Sequence, residues 1–150
     1  MIVFRIANEK YSSDLSGEGA SLYGGRWNSV GLKVLYTSQY ISLTILESMV
    51  HLRTDLIPSS QFLLSIEVPE KDIITISTSK IKEGWANEPG YSQWIGDQFI
   101  NGNQGLVLKV PSAIVPEECN FLINPLHRDF KKVKLNSTEP LRLDKRLHLA

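Results

Sequence analysis

Cysteine is almost missing from this sequence of 150 residues, which contains only Cys119. A single cysteine cannot form a disulfide within the chain, so we expect a reducing compartment, the cytoplasm. Long apolar runs are missing too. No stretch approaches the roughly 20 residues that a helix needs to cross a bilayer, so no membrane role is expected. The first residues, MIVFRIANEK, reach Arg5 before an apolar run develops, which does not fit a secretion signal.

An excess of charge of either sign is also missing. Sixteen Lys and Arg residues balance sixteen Asp and Glu residues. The chain therefore has no long-range field to attract a polyanion, and direct nucleic-acid binding is not expected as its main role. A pocket for a small anion is still compatible with this balance, because such a pocket needs only one or two arginines.

Several common catalytic motifs are absent from the sequence. It has no Walker loop and no Gly-x-Gly-x-x-Gly dinucleotide loop, and it has no Gly-x-Ser-x-Gly nucleophile elbow. The histidines, His51, His127 and His148, are scattered and show no ligand spacing, so no metal site is predicted. For His127 and the nearby Asn124, a turn cap and a position in a pocket are both open.

The apolar and charged fractions, 42% and 21%, are ordinary for a globular protein. Alternating apolar residues and Pro or Gly boundaries predict short strands at 2–6, 33–37, 62–68, 72–76, 106–110 and 120–124, with a further edge strand in the tail from Glu139. Helices are predicted at 40–53, capped by Ser38, and at 91–100. Residues 8–32 are predicted to form a long loop. Short, mostly antiparallel strands with a few inserted helices predict a single α+β domain over residues 1–150.

The stretch GASLYGGRWNSVG, residues 19–31, joins a glycine pair to Arg26 and Trp27. Gly24 and Gly25 permit positive φ or a close approach of the backbone to a ligand. A guanidinium beyond such a hinge can bind two phosphate oxygens at once. Trp27 can cover a ligand ring or simply pack. The alternative is a loop that Trp27 pins against the core while Arg26 stays in solvent.

The predicted helix at 40–53 carries an apolar stripe at Ile41, Ile45, Met49 and Leu52, with Leu46 and Val50 beside it. Glu47 falls at the border of this apolar face, where a carboxylate is half desolvated and can be held rigidly. The alternative is a solvated surface glutamate. Tyr36 precedes the helix in a short strand, where packing is its simplest role. Ser112 follows a strand in VPSAIVPEECN, where capping a turn is its simplest role.

In order along the chain, Arg5, GGRWN, LYTS, ILESMVH and VPSAIVPEECNFLINPLH resemble the RES domain family, which is named for its arginine, glutamate and serine. The match runs from Arg5 to about Arg146. The resemblance implies a fold similar to that of ADP-ribosyltransferase toxins. It also implies a toxin of a bacterial toxin–antitoxin pair that depletes NAD by hydrolysis or phosphorolysis, with modification of a protein by ADP-ribose as the alternative. NAD is then the substrate, and no further cofactor is implied.

The resemblance also implies a partner, an antitoxin with an Xre-like helix-turn-helix domain. We expect this antitoxin to occlude the active site, and DNA binding to occur only through it. A homodimer or a larger toxin–antitoxin assembly is compatible with this expectation. A function of another class, a nucleotide-binding or partner-binding module without catalysis, is the remaining hypothesis.

By matching motif positions, the resemblance implies catalytic roles for Arg26, Tyr36 and Glu47. Arg26 would hold the phosphates, Tyr36 would stack on the departing ring, and Glu47 would stabilise a cationic ribose. Substrate-binding roles are implied for Trp27, as part of the loop wall, and for Ser112, which would fix the ligand or orient Glu47. Arg5 also matches a family arginine and is placed among the substrate-binding residues, although its exact role is open. The acceptor, whether water, phosphate or a protein side chain, is open as well.

Overall fold

The computed structural model describes residues 1–51 and 60–148. In these residues seven strands, β1 to β7, form one mixed sheet: Ile2–Asn8, Leu35–Ser38, Gln61–Glu67, Ile73–Thr75, Val107–Pro111, Cys119–Ile123 and Lys134–Pro140. Three α-helices, α1 to α3, span Glu18–Tyr23, Ile41–His51 and Pro89–Gly102. The predicted α+β class is confirmed. Within the same residues, no helix combines the length and the apolar character needed to cross a membrane.

The strands follow the order β4-β5-β6-β2-β1-β3-β7, and β4 with β5 is the parallel pair. Strand β1 pairs with β3 along its whole length, from Ile2 opposite Glu67 to Asn8 opposite Gln61. Its pairing with β2 is limited to Phe4 opposite Ser38. The sheet is therefore split at its centre, because the two middle strands meet at one point and diverge elsewhere.

Apolar clusters cover both faces of the sheet. Successive residues of a strand point to opposite faces and therefore enter different clusters, as Val107 and Leu108 do in β5. The first cluster contains Val3 and Ala7 of β1. The second contains Trp27 together with Phe99 and Ile100 of α3. Helix α3 therefore covers this face of the sheet beside the arginine turn, residues 24–27, which carries Arg26. The position of the turn therefore depends on the packing of α3.

Three local predictions were wrong. The predicted loop at 8–32 contains α1, which begins and ends at glycines with positive φ, Gly17 and Gly24. Ser38 does not cap α2, because it is the last residue of β2 and its hydroxyl donates a hydrogen bond to Asn120. The last strand lies at Lys134–Pro140, earlier than predicted. It is an exposed edge strand and lacks the apolar alternation that would have marked its position.

The predicted apolar stripe of α2 is wrong in its orientation. Ile41, Leu46 and Val50 are exposed, while Leu43 and Thr44 are buried. The predicted stripe residue Leu52 lies outside the described residues. Helix α2 turns a mostly polar side toward the sheet because that side lines a pocket.

Candidate active site

A pocket of about 480 Å³ opens at the split between β1 and β2. Its walls come from β1, α1, the turn at 24–27, β2, α2 and β6. Arg5, Arg26, Trp27, Tyr36 and Glu47 all line it. The volume is in the range of pockets that hold small molecules. The structure therefore brings five of the six sequence-predicted site residues around one pocket.

The turn that carries Arg26 is closed by a bridge between Gly25 and Asn28, with the Gly25 amide 2.9 Å from the Asn28 carbonyl oxygen. A Cβ atom at Gly25 would lie 2.7 Å from the Tyr36 hydroxyl oxygen. A side chain at this position would thus push Tyr36 away. Gly25 is required by the close packing of the turn on β2, and Gly24 by its positive φ of 69°.

Tyr36 fixes this turn through its hydroxyl group. The hydroxyl donates to Asn28 Oδ1 at 2.6 Å and accepts from the Trp27 amide at 3.0 Å. Burial raises the pKa of Tyr36, although the hydrogen bond from the Trp27 amide partly opposes this effect. The hydroxyl therefore stays protonated at neutral pH and acts as a donor. That the ring stacks on a ligand stays a prediction.

Trp27 is buried and packs against Trp85, with ring centroids 5.1 Å apart and planes tilted by 42°. It does pin the loop against the core. Arg26, however, is not left in solvent. Its Nη1 donates to the Ala86 carbonyl at 2.8 Å, and its guanidinium lies 5.8 Å from the Trp85 ring centroid. One side of the guanidinium is thereby anchored, while Arg26 still lines the pocket.

Helix α3 holds the Arg26 turn from behind, and nothing in the sequence indicated this. The Ser92 hydroxyl donates to the Arg26 carbonyl at 2.6 Å, and Gln93 Nε2 donates to the Gly25 carbonyl at 3.0 Å. Gly96 of the same helix lies directly against the Trp27 backbone. These contacts join residues more than 60 positions apart, so no local sequence signal could have revealed them.

Glu47 is fixed by two donors that converge on one of its oxygens. Its Oε1 accepts from Ser112 Oγ at 2.8 Å and from Asn120 Nδ2 at 2.6 Å. Ser112 is fully buried and is not among the pocket-lining residues, so its contact is with the glutamate. Its hydroxyl oxygen also accepts from the amides of Ile114 and Val115. Ser112 thus both orients Glu47 and caps a turn.

Arg5 reaches the pocket from β1. Val3 and Ala7, on the same face of the strand, are buried in an apolar cluster. Burial lowers the pKa of Arg5, and nearby Asp14 partly opposes this effect. Its Nε is buried and has no hydrogen-bond partner among the described residues. Arg5 also lines the pocket, so its guanidinium supplies positive charge at the pocket wall.

The two positions left open in NPLH are turn caps. His127 Nδ1 accepts from the Asp129 amide at 3.2 Å, and Asn124 Oδ1 accepts from the Leu126 amide at 3.0 Å. Neither residue lines the pocket. Among the residues that the structure describes, no group of three or more His, Cys, Asp or Glu side chains is arranged to hold a metal ion.

The fold and the site define an α+β protein with a pocket lined by two arginines and a fixed glutamate. The sequence profile of the RES domain matches residues 2–144. The Prs ADP-ribosylating toxin of Sphingobium sp. (strain YBL2) is 38% identical over 141 residues, which are 91% of this chain and 88% of the relative. Toxin Res of Photorhabdus laumondii is 39% identical over 136 residues, 88% of this chain and 86% of the relative. The chain therefore belongs to the RES domain family, in a group of proteins named as toxins.

A solved structure shares the fold. It is a chain of the M. tuberculosis MbcT–MbcA toxin–antitoxin complex, with a TM-score of 0.77 and 16% sequence identity. The similarity covers 93% of this chain and 83% of that chain.

Proposed function

We propose that this protein is a toxin that binds NAD in the pocket and cleaves its nicotinamide–ribose bond. The observation that carries the proposal is the meeting of Arg5, Arg26 and a rigidly held Glu47 around one pocket. NAD offers matching charges, because its pyrophosphate is anionic while its nicotinamide–ribose end is cationic. The name of the Sphingobium relative, an ADP-ribosylating toxin, supports NAD chemistry.

In this proposal the two arginines bind the pyrophosphate and Glu47 lies near the ribose. The bond between the ribose carbon and the nicotinamide nitrogen breaks, and its electron pair leaves with nicotinamide. The ribose then carries cationic character, as in glycoside hydrolysis. A fixed carboxylate stabilises this charge without reorganising during the reaction. Water or phosphate adds to the ribose carbon and loses a proton, which completes the reaction.

Transfer of ADP-ribose to a protein side chain is the second candidate, and the name of the Sphingobium relative, an ADP-ribosylating toxin, favours it. Both reactions release nicotinamide and differ in the acceptor. Purified protein is therefore incubated with NAD in phosphate-free buffer, in phosphate buffer, and with added bacterial protein. Free nicotinamide reports cleavage, and the ADP-ribose product identifies the acceptor. If no nicotinamide forms in any arm, NAD cleavage is refuted.

The role of Glu47 is tested by Glu47→Gln, with Glu67→Gln at the exposed last residue of β3 as the control. Loss of the carboxylate should lower turnover by roughly 100-fold or more, the usual effect of deleting a main electrostatic stabiliser. The control should match wild type. Turnover of Glu47→Gln within a few-fold of wild type would refute this role.

We further propose that the toxin acts in the cytoplasm and that an antitoxin covers the pocket. The fold neighbour comes from a toxin–antitoxin complex, which supports a partner of this kind. The chain is expressed in bacteria alone and with its genomic neighbour, and survival and cellular NAD are measured. Normal growth and normal NAD during soluble expression of the chain alone would contradict the toxin proposal. An Xre-like antitoxin that binds DNA for the pair is the expected identity of the neighbour.

A further inference from the structure

A line of hydrogen bonds runs from Glu47 back into the sheet. Asn120 Nδ2 donates to Glu47 Oε1 at 2.6 Å, and Ser38 Oγ donates to Asn120 Oδ1 at 2.7 Å. Ser38 and Asn120 lie directly opposite each other on β2 and β6. Both residues line the pocket. Asn120 has so far been described only as a donor to Glu47, and Ser38 has been given no role in the site.

The Asn120 amide is held between Glu47 on one side and Ser38 on the other. The amide has one acceptor end and one donor end. Because the Glu47 carboxylate can only accept, the NH2 group faces it, and the Ser38 hydroxyl donates to the other end and holds the amide in place. Glu47 Oε1 then holds two donors, from Ser112 and Asn120, while no described residue donates to Oε2. The carboxylate is thus fixed in rotation, with one oxygen left for a ligand.

The stability of the sheet alone would not favour the pair of Ser38 and Asn120 across β2 and β6. Ser38 is buried, and Asn and Ser are both less suited to strands than β-branched residues. Buried polar groups also require hydrogen-bond partners to offset their desolvation. The strand register gives both groups such a partner and directs the free donor of the amide at Glu47. An apolar pair at this position would fill the same space but would leave the carboxylate with Ser112 alone.

We propose that Asn120, held in orientation by Ser38, is a positioning residue for Glu47, so that the reacting carboxylate belongs to a unit of four side chains with Ser112. This inference deepens the proposed NAD cleavage and rests on it. Asn120 and Ser38 act through Glu47, and their loss should therefore affect turnover more than NAD binding.

The kinetic test measures kcat and KM for NAD in Asn120→Ala, Ser38→Ala and Ser38→Thr. A catalytic group displaced by about 1 Å loses on the order of 100-fold in rate. We expect kcat of Asn120→Ala to fall about 10- to 100-fold with KM within about threefold of wild type. Ser38→Ala should lose less, and Ser38→Thr should recover most of that loss because it retains the hydroxyl. Asn136→Ala on exposed β7 is the matched control.

A double-mutant cycle separates positioning from a general structural role. If Asn120 acts through the Glu47 carboxylate, Asn120→Ala should have little further effect in the Glu47→Gln background. An independent loss of the same size in that background would overturn the proposal. A rise in KM with unchanged kcat would also overturn it, because Asn120 would then act by contacting NAD directly.

A further measurement does not depend on activity. The side-chain NH2 signals of Asn120 in an amide NMR spectrum, assigned by their loss in Asn120→Ala, should move in both Glu47→Gln and Ser38→Ala. The NH2 signals of Asn124, which lies away from the pocket, should not move. Unmoved Asn120 signals would refute the hydrogen-bonded unit. If wild type releases no nicotinamide, the proposed function fails, and this spectrum alone decides whether the unit exists.

Discussion

The closest approach of α3 to the arginine turn occurs at Gly96, and Gly96→Ala tests how far the pocket depends on it. A Cβ atom at Gly96 would overlap the Trp27 carbonyl oxygen and lie 2.7 Å from its carbonyl carbon. Both atoms belong to the backbone, so no side-chain rotation can relieve the overlap. To reach an ordinary contact of 3.4 Å with the carbon alone, the helix and the turn must separate by about 0.7 Å. Removing the overlap with the oxygen requires a larger separation.

This separation would break the hydrogen bonds that hold the turn. The bond from Gln93 to the Gly25 carbonyl, at 3.0 Å, would exceed hydrogen-bonding distance, and the bond from Ser92 to the Arg26 carbonyl, at 2.6 Å, would be strongly weakened. Each is worth about 0.5–1.5 kcal/mol, and overpacking adds about 1–3 kcal/mol. We therefore expect Gly96→Ala to lower the free energy of unfolding by roughly 2–6 kcal/mol.

Urea denaturation measures this loss, and Gly90→Ala in the same helix is the matched control. A Cβ atom at Gly90 meets nothing within 4 Å. Alanine favours a helix over glycine by up to about 1 kcal/mol, so the control should be unchanged or slightly more stable. Gly96→Ala should also raise KM for NAD, because Arg26 moves with the turn. The reasoning is refuted if Gly96→Ala unfolds within about 0.5 kcal/mol of wild type, the spread of a neutral surface change.

Three further predictions concern the residues of the candidate site. Arg26→Lys keeps the charge but loses the two-pronged fork, so NAD binding measured by calorimetry in the Glu47→Gln background should weaken about tenfold, whereas equal affinity would count against a phosphate contact. Tyr36→Phe removes both hydrogen bonds to the arginine turn and should cost about 1–3 kcal/mol in urea denaturation. Burial raises the pKa of Tyr36 in the folded protein. The stability that Tyr36 contributes is therefore complete below about pH 10, the pKa of an unfolded tyrosine, and declines at higher pH. The Tyr36→Phe variant should lack this decline. Ser112→Ala should lower kcat for NAD with little change in KM, and an unchanged kcat would show that the hydroxyl serves only the turn.

The sequence predicted the class of fold well because the signals it used are local. Apolar alternation with Pro and Gly boundaries identified β3, β5 and β6 within a residue or two of their bounds. Strand β7 was misplaced because its side chains are nearly all exposed and leave no such pattern. The position of helix α2 was predicted correctly, but the side of the helix that faces the sheet was not. Helical periodicity assumes that the apolar side faces the core, and here the side that faces inward carries Glu47.

For the site, the sequence supplied the residues on the pocket wall but not those that hold them. Arg26 and Glu47 came from motifs that can be read within a few positions. Ser92 and Asn120 act on them from 66 and 73 positions away. Such partners are created by strand order and helix packing, and a single sequence carries no periodicity or spacing that reveals them.

The split sheet also has a consequence for how the protein is made. Strand β2 lies between β1 and β6, so its outer edge stays unpaired during translation until residues 119–123 have been synthesised. Glu47 is translated long before this point but lacks Asn120 until β6 is added. A nascent or prematurely terminated chain therefore contains both pocket arginines and the glutamate, yet has no assembled site. The proposed NAD cleavage therefore requires the pairing of β2 with β6 and should be absent from chains that end before Cys119.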